Sequence, residues 1–288
     1  MKDIAFGQYY PTGSVIHRMD ARAKLLFTIV YMVMIFFIVS YTAYLGVFLF
    51  LLTVTALARI PLRLLFKSVK TILVILIFTS VINLFFYSEG NVLAEWWIFR
   101  ITDGGIDFSI KMILRLALLV MGTSMLSFTT TPTELTDAIE SLLSPLKYIK
   151  VPVHDIALIM SIALRFIPGL IDETDKIVMA QKARCASIDT GNFLQKVKAM
   201  VPVLIPLFVS AFRRADELAD ALDARCYSAS PKRTKLKVLR FHWRDLVGAI
   251  VICGLLTLIL LDKYLVGGTG IGAGVDRLIW QGIRGLWA

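Results

Sequence analysis

Two short elements of this sequence pair an arginine with small neighbours and could bind an acidic partner. Ala180–Ser187 and Ala221–Ser228 both read Ala-x-x-Ala-Arg-Cys-x-Ser, and each ends a charged, alanine-rich helical pattern. The guanidinium of arginine stays charged and presents a planar fork of donors that suits bidentate capture of a carboxylate. A single copy would indicate only a favourable cation at a helix C-terminus, worth about 0.3–1 kcal/mol. Two copies in equivalent places favour a docking role instead.

The predicted docking elements combine this charge with small side chains, since a neighbouring alanine lets another backbone approach closely. The candidate docking residues are Ala183, Arg184, Cys185, Ala224, Arg225 and Cys226.

A second group of candidate residues combines an arginine with helix-bending prolines. Arg165 lies in an apolar stretch one turn before Pro168, and Glu173 follows. A proline inside a helix removes a hydrogen bond and bends the helix, and an arginine in apolar surroundings needs a partner. Arg165 could equally reach lipid headgroups or pair within the chain, and both readings stay open. Together with Pro202 and Pro206 of the next helical pattern, these residues are the candidate coupling and hinge positions.

The composition places these elements in a membrane protein. Of the 288 residues, 57% are hydrophobic, and the mean hydropathy is +0.75. Most of the 31 lysines and arginines fall on one side of the predicted spans, so the net charge of +10 reports topology and excludes nucleic acid as a partner. The fold class is predicted to be all-α and polytopic, with about five transmembrane helices and long cytoplasmic coupling helices. The five predicted spans are Leu25–Ser40, Thr42–Ala58, Thr71–Tyr87, Phe108–Phe128 and Asp245–Leu261.

We expect three domains along the chain. Residues 1–128 form a membrane domain with a cytoplasmic N-terminus, residues 129–243 form a coupling-helix domain, and residues 244–288 hold the last span and an extracytoplasmic tail. The coupling-helix domain opens with Thr131-Pro132-Thr133-Glu134, a capping box with proline at the first helical position.

The apolar halves of the two coupling helices, residues 156–170 and 200–212, are short for a membrane crossing. They are predicted to be half-sunk in the membrane or packed on the spans, and a crossing hairpin is the alternative.

The sequence carries no pattern of an enzyme. His17, His154 and His242 are far apart, with no cysteine or carboxylate at metal-ligand spacing. Cys185 and Cys226 alone do not make a metal site, and no phosphate-binding loop is present. We therefore expect no catalytic residue, no metal site and no cofactor bound by this chain.

Taken together, the motifs resemble the transmembrane component of energy-coupling factor transporters. The resemblance covers most of the chain, and the two Ala-Arg elements are its strongest part. In that family they typically read Ala-Arg-Gly, so Cys185 and Cys226 depart from the pattern, as does Ala21 where proline is common. Further matches are Ser14, His17, Asp20, Arg22, Lys24, Thr131-Pro132, Leu164–Pro168, Glu173 and Ala180-Gln181.

The resemblance implies a non-catalytic coupling protein in the bacterial cytoplasmic membrane. It implies partners of two kinds: two ABC-type ATPase subunits, which bind ATP and magnesium, and a small membrane subunit that captures a vitamin or metal ion. Arg184 and Arg225, with Ala183 and Ala224, would each dock on one ATPase. The cysteines put in doubt any role of the replaced glycine in flexibility of the helix ends.

Two other functions stay open on the residues alone. A membrane enzyme acting on lipids would grip phosphate with Arg165, Lys111 and Arg115, but it would also need an acid/base pair or a metal cluster. A conventional permease would form the substrate path itself.

Overall fold

The part of the chain that the structure describes is mostly helical. The computed structural model describes residues 9–86, 92–96, 99–149, 152–186, 192–227 and 241–266. Within these ranges the helices are α1 Ala21–Ile35, α2 Tyr41–Ala58, α3 Leu62–Phe86, α4 Asp103–Thr129, α5 Pro132–Leu143, α6 Val153–Ala183, α7 Phe193–Ala224 and α8 Trp243–Val266. A 3-10 helix, Ser144–Ile149, follows α5. Strands β1 (Val92–Trp96) and β2 (Phe99–Thr102) form an antiparallel hairpin between α3 and α4, which adds to the predicted all-α fold without changing its class.

Six helices of the described residues, α2, α3, α4, α6, α7 and α8, are long and apolar enough to cross a membrane. The chain is therefore a multi-pass membrane protein, as predicted. The limits of two predicted spans differ from the structure. Helix α1 ends at Ile35, because Ser40 already caps α2 by accepting from the Thr42 amide. Helix α3 begins at Leu62, so much of the basic segment predicted as a loop before Thr71 is helical.

The described residues divide into two compact units, with the boundary inside α5. One contains the described parts of Gly7–Leu135 and Leu239–Ala288, and the other those of Thr136–Val238. The first, the membrane unit, has α4 packed against α1, α2 and α3, while α8 packs against α1 and α2. The second, the coupling unit, is built mainly from α6 packed against α7.

The core of the membrane unit depends on a close approach between α1 and α4. Gly122 of α4 lies against the ring of Tyr31, so closely that a Cβ atom there would be 2.0 Å from the ring's Cε1. The Tyr31 hydroxyl donates a 2.8 Å hydrogen bond to the Leu118 carbonyl. Glycine thus lets a large aromatic side chain bury itself on the α4 backbone with its polar atom satisfied.

Helix α5 begins as its sequence predicts. The Glu134 amide donates to the Thr131 hydroxyl, and the Glu134 carboxylate accepts from the Thr131 amide, both at 3.3 Å. These reciprocal bonds confirm the predicted capping box.

Candidate docking and coupling site

The first predicted docking arginine lies at the C-terminal end of α6. Arg184 is the C-cap residue, with φ −87° and ψ 17°, and Cys185 after it has a positive φ of 63°. The Cys185 amide donates to the Lys182 carbonyl, and the Ala186 amide donates to the Gln181 carbonyl, both at 3.0 Å. This pair of bonds is a Schellman motif, which satisfies the last carbonyls of a helix.

The second docking element repeats this geometry at the end of α7. Arg225 is the C-cap residue, with φ −90° and ψ 12°, and Cys226 has a φ of 53°. The Cys226 amide donates to Asp223, and the Tyr227 amide donates to Leu222, both at 2.9 Å. The two helix ends therefore present their arginines on the same local backbone conformation.

The left-handed conformation explains why a glycine suits the position after each arginine. Glycine adopts positive φ without steric penalty, whereas an L-residue with a Cβ atom costs roughly 1–2 kcal/mol there. Cys185 and Cys226 keep the conformation that glycine favours. They do so at a local cost that the two hydrogen bonds of each motif offset.

The structure leaves both arginines available for a partner. Arg184 and Arg225 are exposed, as are Ala183 and Ala224 beside them. Neither guanidinium forms an ion pair or a hydrogen bond with another described residue.

The predicted coupling residues lie along α6 and α7. Glu173 of α6 forms an ion pair with Arg214 of α7, and an Arg214 nitrogen would lie 3.4 Å from a Cβ atom at Gly169. The Arg214 partner of Glu173 was missed from the sequence, because ion pairs between helices have no fixed spacing. Arg165 is exposed and makes no ion pair within the described residues.

Both long helices run unbroken through their prolines. Pro168 lies inside α6, and Pro202 and Pro206 lie inside α7. Each proline lacks an amide N–H, so the carbonyl four residues earlier loses its helical donor. These positions are locally weaker points of otherwise continuous helices, and their hinge role stays a prediction.

A buried polar cluster at the start of α1 was not predicted. Lys24 is 6% exposed, and its ammonium donates to the carbonyls of His17 at 3.0 Å and Thr129 at 2.9 Å. Burial lowers the pKa of Lys24, against the opposing effect of nearby Glu134, Asp245 and Asp20. Lys24, which the sequence marked only as part of the family resemblance, is therefore an internal hydrogen-bond donor.

The carboxylate of Asp245 joins the start of α8 to the start of α1 in the same cluster. Asp20 caps α1 by accepting from the Arg22 amide at 2.9 Å, and its own amide donates to the Asp245 carboxylate at 2.9 Å. The other Asp245 oxygen accepts from the His242 amide at 2.8 Å. The available sequence signal was an aspartate at the N-cap of α1 and another in the first turn of α8, where carboxylates satisfy free amides.

His17 ties the N-terminal segment to this cluster. Its Nε2 lies 2.8 Å from the Tyr10 carbonyl, and its Nδ1 lies 2.8 Å from the Ser14 hydroxyl. A carbonyl can only accept, so Nε2 donates to the Tyr10 carbonyl.

Lys111 and Arg115 are engaged inside the membrane unit. Lys111 forms a 2.8 Å ion pair with Asp107 and lies over the Tyr41 ring, and Arg115 donates to the Ile38 carbonyl at 3.2 Å. These contacts hold the N-terminal half of α4 to the start of α2 and to the α1–α2 connection. They also occupy two of the three cations that a lipid-phosphate enzyme would need.

Known proteins that are similar to this chain identify its family. The family model described as cobalt transport protein (CbiQ) matches residues 12–236. The energy-coupling factor transporter transmembrane protein EcfT of Ruminiclostridium cellulolyticum is 48% identical over 265 residues, which cover 92% of this chain and 99% of the relative. The chain belongs to the CbiQ/EcfT family. The EcfT protein of Thermosediminibacter oceani is 42% identical over 280 residues, or 97% of this chain and 100% of the relative.

Family membership decides among the functions left open by the sequence. The chain is a transmembrane component of an energy-coupling factor transporter, and it is not an enzyme. Among the described residues, no group of three or more His, Cys, Asp or Glu side chains is arranged to hold a metal ion.

Proposed function

We propose that this chain joins two ABC-type ATPase subunits to a small substrate-binding membrane subunit and transmits ATP-driven motion between them. The observation that carries the proposal is the duplicated helix end, Arg184–Cys185 on α6 and Arg225–Cys226 on α7. Two equivalent docking elements suit two equivalent ATPase subunits. ATP and magnesium are bound by those subunits, and this chain binds no cofactor.

Docking follows from charge and exposure at the two ends. Each arginine is exposed, unpaired within the described residues and followed by a left-handed turn that directs the chain away from the helix. A carboxylate in a groove of the ATPase would form a charge-assisted, bidentate pair with it. The small alanine before each arginine would let the groove close around the ion pair, and the exclusion of water would strengthen that pair.

Motion reaches the membrane through the helices that bear the arginines. The Glu173–Arg214 ion pair connects α6 to α7. When an ATPase displaces the docking end of one helix, this pair would pull the other helix with it. The prolines provide positions where each helix can change its bend. Coupling requires that the ATPases contact the two ends differently in their two nucleotide states, because otherwise no free energy is transferred.

The substrate-binding subunit would be held by apolar surface of the coupling unit. Phe208 and Phe212 of α7 are 60% and 69% exposed, and Ile159 of α6 is 65% exposed. A vitamin or a metal ion is the substrate class that the family resemblance implies, with the choice made by the other subunit. The protein then lies in the bacterial cytoplasmic membrane with a cytoplasmic N-terminus and an extracytoplasmic C-terminus.

The test reverses the charge at each docking end. Arg184→Glu and Arg225→Glu are made singly and together, and Arg213→Glu, an exposed arginine within α7, is the matched control. We expect each single variant to weaken ATPase co-purification and the double variant to abolish both co-purification and ATP-driven uptake. Unchanged association of the double variant with the ATPases would refute the docking role.

A further inference from the structure

An apolar groove opens in the membrane unit between α1, α2, α4 and α8. Its volume is about 430 Å³, and its walls include Phe27, Phe50, Val54 and Val251. This size falls within the roughly 300–1,000 Å³ of typical small-molecule sites. Helices α2, α4 and α8 are long and apolar enough to cross a membrane, so we expect the walls that they contribute to face lipid hydrocarbon.

Only one end of the groove is charged. Among its lining residues the charged ones are Lys24 and Arg244, near the starts of α1 and α8. The bond from the Asp20 amide to Asp245 holds these two helix starts together. Trp243, 76% exposed, lies at the same end, and an indole at a helix start is typical of the membrane–water interface.

The two cations differ in what they can offer a ligand. Lys24 already donates to two carbonyls, whereas Arg244 is exposed and makes no ion pair with another described residue. Asp245 in the first turn of α8 already accepts from the His242 amide, so Arg244 is the cation that this end of the groove leaves open to a ligand. The groove thus joins an acyl-sized apolar channel to an anion-attracting mouth at the interface.

We propose that the groove binds one anionic phospholipid, with an acyl chain between α1 and α8 and the phosphate at Arg244. A phospholipid has the two chemistries of the groove in the required order, and the surrounding bilayer supplies it. The proposal depends on the membrane unit alone and stands whichever subunits dock on α6 and α7.

The test separates the headgroup from the chain. Arg244→Gln removes the cation, and Val251→Trp fills the groove. The controls are Arg63→Gln, an exposed arginine of α3, and Ile250→Trp, which is 62% exposed and lies outside the groove. The full chain, stripped of lipid in detergent, is titrated with phosphatidylglycerol or phosphatidylcholine, and bound lipid is counted by native mass spectrometry.

We expect one phosphatidylglycerol to bind about tenfold more tightly than phosphatidylcholine, as one charge-assisted contact would give. Arg244→Gln should remove this preference, Val251→Trp should abolish tight binding of either lipid, and both controls should match the unmodified chain. If Val251→Trp and Ile250→Trp retain equal amounts of lipid, the groove is not the binding site. The same result is expected if another part of the chain already fills the groove, and it would overturn the proposal in that case too. An unchanged preference in Arg244→Gln would overturn the headgroup assignment.

Discussion

Replacing the cysteine at either docking helix end by glycine should stabilise that end. Cys185 and Cys226 hold φ angles of 63° and 53°, where an L-residue is strained by roughly 1–2 kcal/mol. Glycine removes this strain but loses about 0.5–1 kcal/mol more conformational entropy on folding. The expected net gain is about 0.5–1 kcal/mol at each end, which lowers the equilibrium constant for local opening about two- to fivefold.

The effect can be measured at two particular amides. Ala186 donates to Gln181 and Tyr227 donates to Leu222, so exchange of these amide hydrogens reports opening of each Schellman motif. Cys226→Gly should slow exchange at Tyr227 about two- to fivefold and leave Ala186 unchanged. Cys226→Val should speed it, because a β-branched side chain is strained further at positive φ.

A third exposed cysteine provides the matched control. Cys253 lies inside α8 and is not among the described residues with positive φ. There the same change to glycine should lower the thermal stability by a few tenths of a kcal/mol, since glycine is the poorer helix former. If Cys226→Gly speeds exchange at Tyr227, or if Cys226→Gly and Cys253→Gly both destabilise the chain, the strain argument fails.

Three further perturbations test other parts of the structure. Gly122→Ala should destabilise the membrane unit by about 1–3 kcal/mol, because its Cβ would overlap the Tyr31 ring, and a lowered thermal midpoint would show it. Glu173→Arg should reduce ATP-driven uptake without releasing the ATPases, because it places two cations together where the ion pair is only partly exposed. Adding Arg214→Glu restores opposite charges and should restore uptake. If the double variant does not recover uptake, the ion pair does not couple the helices. Burial lowers the pKa of Lys24 in the folded state below its ordinary value of 10.5. Between these two pKa values, Lys24 is protonated in the unfolded state and largely deprotonated in the folded state. Thermal stability should therefore rise with pH as the solution approaches pH 10.5, and Lys24→Met should flatten this slope.

The sequence predicted the helices and the repeated arginine elements well because both depend on neighbouring residues. Hydropathy and length located α2, α3, α4 and α8, and the Thr131–Glu134 capping box marked the start of α5 correctly. The prediction also counted α1 as a span and judged the apolar halves of α6 and α7 too short, whereas α6 and α7, and not α1, are long and apolar enough to cross among the described helices. The ends of α1 and α3 were wrong because a cap at Ser40 and a helical extension from Leu62 outweighed the apolar pattern.

The polar interior could not be predicted because it joins residues far apart in the chain. Lys24 reaches the carbonyl of Thr129, and the Asp20 amide reaches Asp245, across separations of 105 and 225 residues. Composition marks a lysine near a span as an interfacial cation. Packing decides whether it lies at the surface or inside.

By itself, the sequence determined that this is a helical membrane protein with two arginine-bearing helix ends. Those properties follow from hydrophobicity, helical periodicity and short motifs, which act locally. The left-handed conformation of Cys185 and Cys226 is also local, because the Schellman hydrogen bonds of each helix end outweigh the intrinsic preference of cysteine. Only the tertiary structure decided that Glu173 pairs with Arg214 and that four helices line a groove, since contacts between helices depend on how their faces meet in space.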